Sequence, residues 1–173
     1  MAIKNRPEFQ KFIRRVEKSS DEFRASSTEK RHSKQYRTAR ENLAHLADQD
    51  SFLEFGQFAV AAQRNRRDYE ELQDKTNADG IITGFCSVNS ELVGAESSQA
   101  VAIVYDYSVL AGTQGAFHHL KLDRICDQAK KFELPIVIFT EGGGGRPGDT
   151  DVLVQMAGLH IPSFSTWAQL TGS

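Results

Sequence analysis

The chain has 173 residues, of which 39% are hydrophobic and 25% charged, enough for one soluble domain with a core of its own. Its apolar runs are only a few residues long and MAIKNRPEFQ lacks the apolar centre of a signal peptide, which excludes a bilayer-spanning helix and makes the cytoplasm the expected location. The formal net charge of −2 conceals an asymmetry, with twelve Lys/Arg against five Asp/Glu in residues 1–40, but no aromatic residues interleave with those cations in the manner of a nucleic-acid binder.

Pro7 can open a helix, and Phe9, Phe12, Ile13 and Val16 follow at the spacing of one apolar stripe. Residues 1–35 are therefore expected to form a basic helical arm that docks on the domain or on a second subunit. Ser20 or Asp21 is the expected N-cap of a polar, exposed helix over 22–34. A clearer helix begins near Gln35 and buries Leu43 and Leu46, and Ser51 to Gly56 reads as a short strand closed by glycine.

Residues 57–77 mix a few apolar positions with Arg64, Arg66, Arg67, Asp68, Glu70 and Glu71, and read as a surface excursion. Asn77, Ala78, Asp79 and Gly80 are turn chemistry, and a strand over 81–88 follows, in which Gly84 marks a bulge or a close backbone approach. After a loop opened by Asn89 and Ser90, the run at 101–105 has the continuous apolarity of a strand buried on both faces. The pattern then predicts a helix over 115–132 burying Phe117, Leu120, Ile125, Ala129 and Phe132, and a strand over 136–139. A helix over 152–157, a break at Ile161, Pro162 and Ser163, and a short helix over 165–170 complete the chain.

Two loops stand out, because in an α/β protein ligands gather where loops leave the carboxyl ends of strands. Ala111, Gly112, Thr113, Gln114 and Gly115 form the first; EGGGGRPGD, Glu141 to Asp149, is the second. Four consecutive glycines carry a large entropic cost, which is offset where a ligand or another backbone must approach closely. Amides turned toward one point can hold a developing oxyanion. No Gly-Lys-Ser/Thr follows, and the dinucleotide spacing fails.

His118 and His119 are adjacent, so on a helix they diverge by about 100° and cannot ligate one metal; no metal site is expected. One should be partly buried and the other exposed. Lys121 reads either as a solvated lysine or as a cation for an anionic ligand group. Cys86 and Cys126 form no CxxC and are expected to be buried thiols, and no GxSxG elbow supports covalent catalysis.

The segments DYSVLAGTQGAFHHLKLDRICDQA and PIVIFTEGGGGRPGD resemble the N-terminal half of the carboxyltransferase component of biotin-dependent acyl-CoA carboxylases, of the acetyl-CoA and propionyl-CoA carboxylase beta type. The matching positions are Asp106, Tyr107 and Ser108; Ala111, Gly112, Thr113 and Gly115; His118 and Lys121; and Glu141 to Arg146. Thr38 to Leu43, Asp50 to Glu54 and Asp79 to Gly84 fit upstream pieces, so the resemblance covers about residue 36 to the end. It implies a crotonase-type fold, here an incomplete ββα superhelix with helices before it, as a partial domain over 36–173.

It implies as well that a carboxyl group moves from carboxybiotin to the α-carbon of an acyl-CoA through a thioester enolate. The enolate hole carries over to the N–H groups of Gly144 and Gly145, and the substrate contacts to Gly112, Thr113, Gly115, Lys121, Gly143 and Arg146. A biotinylated carrier protein, the remaining half of the carboxyltransferase and further copies of the chain are the implied partners, and the chain alone is expected to be inactive. Departures are Glu141-Gly142 for Asp-Ser, Gly145 for Ala, Pro147-Gly148 after Arg146, and an insertion near 91–98. They fit a loop shaped for a different acyl group or a divergent subfamily. Another crotonase-superfamily acyl-CoA enzyme, such as a decarboxylase, and a non-catalytic binding or assembly module are the alternatives.

Overall fold

A computed structural model describes residues 6–152 and 162–170, apart from the side chains of 162–164. Of the expected helix over 152–157 only Val152 is described, outside any helix; the break at Ile161 lies outside the described residues, and Pro162 opens a helix instead of interrupting one. In chain order the helices are α1 (Pro7–Glu17), α2 (Ala25–His32), α3 (Ala39–Leu46), α4 (Tyr69–Lys75), α5 (Ser90–Val93), α6 (Ala116–Lys131) and α7 (Pro162–Leu170). The strands are β1 (Leu53–Phe55), β2 (Ile81–Ser87), β3 (Gln99–Tyr105) and β4 (Ile136–Phe139), in the sheet order β1-β2-β3-β4.

β1, β2 and β3 run antiparallel in turn, whereas β3 and β4 are parallel because α6 carries the chain back across the sheet. Thus β2, β3 and α6 make one ββα unit, and β4 begins the next. Alternation along β3 sorts its side chains: Val101, Ile103 and Tyr105 pack with Leu122, Ile125, Cys126 and Ala129 of α6, while Ala100, Ala102 and Val104 pack with Ala39 and Leu43 of α3. β3 is therefore buried on both faces between helices, as the apolar run at 101–105 requires, while the edge strands β1 and β4 stay partly exposed.

Gly84 is a close approach and not a bulge. The β2–β3 register passes through it without interruption, and a Cβ there would strike the Leu53 carbonyl and the Phe52 ring. Both thiols are buried.

Four expectations need correction. α6 buries His118, Leu122, Ile125, Cys126 and Ala129, whereas Leu120 and Phe132 are exposed and Phe117 is half-buried. The apolar residues of its other face shifted the sequence reading by about one residue around the helix. α3 begins four residues later than expected, where Thr38 and Glu41 form a reciprocal capping box. Asp21 caps no helix; its carboxylate accepts the Thr38 hydroxyl, and Arg24 stands at the N-cap of α2. Residues 57–77 are no mere surface excursion, since Val60, Ala61 and Leu72 form a small buried cluster with Leu110 against it.

Candidate functional site

Because β3 and β4 are parallel neighbours, the loops that leave them emerge at the same end of the sheet. The first loop turns tightly: Leu110, Ala111 and Gly112 all have positive φ, at 48°, 56° and 66°. Gly112 is required there twice over, by its φ and because a Cβ would collide with the Glu141 carbonyl of the second loop. Gln114 then locks the loops in register. Its N–H donates to the Gly144 carbonyl at 2.8 Å, and its own carbonyl accepts the Arg146 N–H at 2.8 Å, a parallel bridge of Gln114 to Gly145.

The bridge orients the glycine amides. The Gly144 carbonyl points at Gln114, and across a trans peptide the Gly145 N–H points the other way, out of the loop pair. The two loops thus form one bridged pair, but the Gly145 donor faces its outer side instead of the turn at 112–115. Among the described residues the N–H groups of Gly142, Gly143, Gly144 and Gly145 find no protein acceptor. A Cβ on Gly142 or Gly143 would press on the first loop, whereas one on Gly144 or Gly145 would meet open space. Gly144 needs glycine for its φ of 86°; Gly145 does not.

Arg146, expected to touch substrate, is only 4% exposed and is committed to protein acceptors. Its guanidinium pairs with Asp79, donates to the Thr113 carbonyl at 2.6 Å and to the Thr113 hydroxyl at 3.2 Å, and lies 3.5 Å from Asp149. Thr113 is accordingly a tie between loops. Gly115 has no room for a side chain because the Arg146 guanidinium and the Asp149 carboxylate occupy that space.

Asp149 accepts the Ala116 N–H and Asp79 the His118 N–H, each at 2.8 Å, so two carboxylates satisfy the first turn of α6. Asp79 is fully buried; burial raises its pKa and the Arg146 charge opposes the rise. Nothing in the turn sequence around Asp79 announced this pairing. The exit of the glycine loop is pinned in turn, with the Thr150 N–H on the Ala62 carbonyl and Asp151 accepting the N–H groups of Arg64 and Asn65.

Lys121 is not brought to the glycine amides. Its ammonium donates to the carbonyls of Ala78, at 2.9 Å, and of Ile81, and burial lowers its pKa to about 8. His118 is fully buried beneath Tyr105, with burial and the neighbouring His119 lowering its pKa to about 3, and His119 is half-buried beside Gly142 and Gln114. Among the described residues no group of three His, Cys, Asp or Glu side chains is placed to hold a metal, and no helix is long and apolar enough to cross a membrane.

The basic arm enters the site through two arginines that sequence reading passed over. Arg24 donates to Asp106 at 2.6 Å and to the Ser108 hydroxyl, at the exit of β3. Arg31 holds Glu141, the first residue of the glycine loop, by a two-pronged pair at 2.6 and 2.7 Å.

Residues 30–159 match the carboxyl transferase domain family. The chain is 34% identical over 127 residues to the carboxyl transferase subunit beta of acetyl-coenzyme A carboxylase from Prochlorococcus marinus, covering 68% of the chain and 41% of that protein. It is 31% identical over 118 residues to the alpha subunit of methylmalonyl-CoA decarboxylase from Veillonella parvula, covering 68% of the chain and 21% of that protein. Among solved structures, a single-chain, multi-domain long-chain acyl-CoA carboxylase superposes with a TM-score of 0.88 at 46% identity, over 96% of this chain and 16% of the other. The chain thus spans between about a fifth and two fifths of the length of these two curated relatives.

Proposed function

The chain belongs to the carboxyl transferase domain family, with its crotonase-like α/β fold, and on that premise we propose that it forms the acyl-CoA side of a biotin-dependent carboxyltransferase. The observation that carries this reading is that, among the described residues, the N–H groups of Gly144 and Gly145 find no protein acceptor, the second of them turned outward by the Gln114 bridge. Abstraction of the α-proton of an acyl thioester places negative charge on the thioester oxygen, and fixed N–H donors at that oxygen lower the barrier by stabilising the enolate. The donors need no reorganisation, because Gly142 and Gly143 are packed on the first loop and Arg146 is anchored to Asp79 and Thr113.

In this assignment Gly112, Thr113, Gly115 and Gly143 shape the loop pair, Arg146 is a positioning residue, and Lys121 braces α6 against the start of β2. Biotin, carried by a partner, would supply the carboxyl group; the amide cluster of the glycine loop is taken by the thioester, so no residue of this chain is assigned to biotin. Similarity to a decarboxylase subunit supports a second reading, in which the same enolate arises by loss of a carboxyl group instead of a proton.

The test is a pair of substitutions in the chain joined to the remaining half of the carboxyltransferase and assembled with its biotin-bearing partner. Gly145→Ala keeps the N–H and meets open space, so transfer to acyl-CoA should stay within a few-fold of wild type. Gly145→Pro removes the donor and should cost roughly 10² to 10³ in kcat. Near-normal turnover of the proline variant would refute the assignment. Net loss of carboxyl from a carboxylated acyl-CoA, without transfer to a second acceptor, would favour the decarboxylase reading.

A further inference from the structure

The glycine loop is anchored differently at its two ends. Downstream, the Gly144 carbonyl accepts the Gln114 N–H, and Arg146 is tied to Asp79 and Thr113. Upstream, the sheet holds the chain as far as Phe139, which pairs with Val104. Between these anchors Glu141, Gly142 and Gly143 make no backbone hydrogen bond among the described residues, and the hydrogen bonds of this stretch are the two that the Glu141 carboxylate accepts from Arg31.

The two amide donors assigned to the enolate are therefore held unequally. The Gly145 N–H shares a peptide plane with the Gly144 carbonyl, so the Gln114 bridge fixes it directly. The Gly144 N–H shares its plane with the Gly143 carbonyl, and among the described residues neither end of that peptide is hydrogen-bonded. Gly142, Gly143 and Gly144 follow one another with the widest choice of φ and ψ that any residue has, so the position of this plane depends on how firmly the chain is held before it. Packing of Gly142 and Gly143 on the first loop limits the plane from one side, and the Glu141 carboxylate supplies the upstream hold.

Arg31 is itself immobilised to provide that hold. Its guanidinium donates to both Glu141 oxygens, at 2.6 and 2.7 Å, a geometry that fixes the orientation of a carboxylate where a single ammonium contact would not. Its Nε and Nη2 also donate to the Arg37 carbonyl at 3.1 and 2.7 Å, and the rings of Tyr36 and Tyr107 lie 5.1 and 5.8 Å from the guanidinium carbon. Residues 20–37 contain no buried residue, and an ion pair whose carboxylate is 36% exposed adds little to stability. The pair matters more for position, since a misplacement of about 1 Å at a reacting centre can cost about 10² in rate.

We propose that Arg31 is a positioning residue for carboxyl transfer, acting through Glu141 to aim the Gly144 N–H at the thioester oxygen. The proposal rests on the acyl-CoA reading and makes the basic arm part of the catalytic machinery. It also assigns the two donors separate supports, the Gln114 bridge for Gly145 and the arm for Gly144.

Steady-state kinetics test it in the chain joined to the remaining half of the carboxyltransferase and assembled with its biotin-bearing partner, using acetyl-CoA or palmitoyl-CoA, whichever the wild type carboxylates faster. Arg31→Met keeps the apolar stem and loses both prongs; kcat should fall about tenfold to hundredfold while the KM for acyl-CoA stays within about threefold. Arg31→Lys, with one contact in place of two, should recover part of the loss. Glu141→Gln should lower kcat as well, and Arg31→Met/Glu141→Gln should cost no more than the worse single change, because both remove one interaction. Where Arg31→Met lowers the urea midpoint too far to be assayed, Glu141→Gln carries the test with the same expected split. A raised KM at unchanged kcat would make Arg31 a ligand contact, and unchanged kinetics with a lowered urea midpoint would make it a clasp for α2 alone; either result overturns the proposal, as do losses that multiply in the double variant. Normal kcat for Arg31→Met beside an impaired Gly145→Pro removes this proposal and keeps the acyl-CoA reading, whereas near-normal turnover of Gly145→Pro removes both.

Discussion

Asp79 and Arg146 are the two residues on which the loop pair closes. They lie 67 positions apart, yet Asp79 meets Arg146 and the first turn of α6 at once, while Arg146 holds Thr113 from both its hydroxyl and its carbonyl. With side-chain exposures of 0% and 5%, neither charge has a solvent alternative. Removing Arg146 strands a buried carboxylate, while removing Asp79 leaves Arg146 with the more distant Asp149, so Asp79→Ala should lower stability by about 3 kcal/mol, and Asp79→Ala/Arg146→Met should cost less than the sum of the two single changes. Urea denaturation of the four species checks this; strict additivity would mean that the pair is not coupled. His118 offers a pH test with a fixed sign. Its pKa falls from 6.5 unfolded to about 3 folded, so its contribution is full above pH 6.5 and is lost as pH falls toward 3. Between pH 7 and pH 5 that loss is about 2 kcal/mol, and His118→Phe should remove this part of the slope when urea midpoints at the two pH values are compared. Identical slopes for wild type and variant would show that His118 does not titrate in this way.

Among the elements, α1 and α2 share a basic composition but differ in what holds them. α1 follows its sequence signals closely, with Pro7 at its start and arginines in its last turn, yet none of its residues is buried. It is docked by the edge-on contact of Phe12 with Phe58 and by Arg15 donating to the Phe58 carbonyl at 3.0 Å. An aromatic pair of this kind contributes about 0.5–1.5 kcal/mol, far below what a core strand commands. Hydrogen exchange should therefore open 7–17 well before β3, and Phe12→Asp should speed exchange in α1 while leaving β3 unchanged. Equal protection of α1 and β3 would contradict this ranking. α2 has no buried residue either, but Arg24 and Arg31 fasten it across the exits of β3 and β4. Sequence periodicity read α2 correctly as exposed, and for the same reason missed that it closes over the loops: an arginine on a polar face gives no sign of which carboxylate it will reach.

For the molecule as a whole, the order of strands and helices was legible because hydrophobic alternation and glycine breaks are local signals. The run at 101–105 announced a strand buried on both faces, and EGGGGRPGD announced a loop that another backbone approaches closely. That α6 turns His118 and Leu122 inward was less legible, because apolar residues occupy several faces of that helix and only the sheet beneath it chooses among them. The same holds for residues 57–77, whose charged run masked a buried cluster and whose backbone receives the end of the glycine loop. Composition and motif by themselves determined the main strands, the two glycine loops and their family, whereas strand order and direction came from the fold. Tertiary structure alone decided that Arg146 is buried as a tie, that Lys121 is spent on backbone carbonyls, and that Arg31 takes Glu141. The physical reason is that a charged side chain is satisfied by whichever partner the fold brings within hydrogen-bonding distance, and that distance is set by packing between segments far apart in sequence.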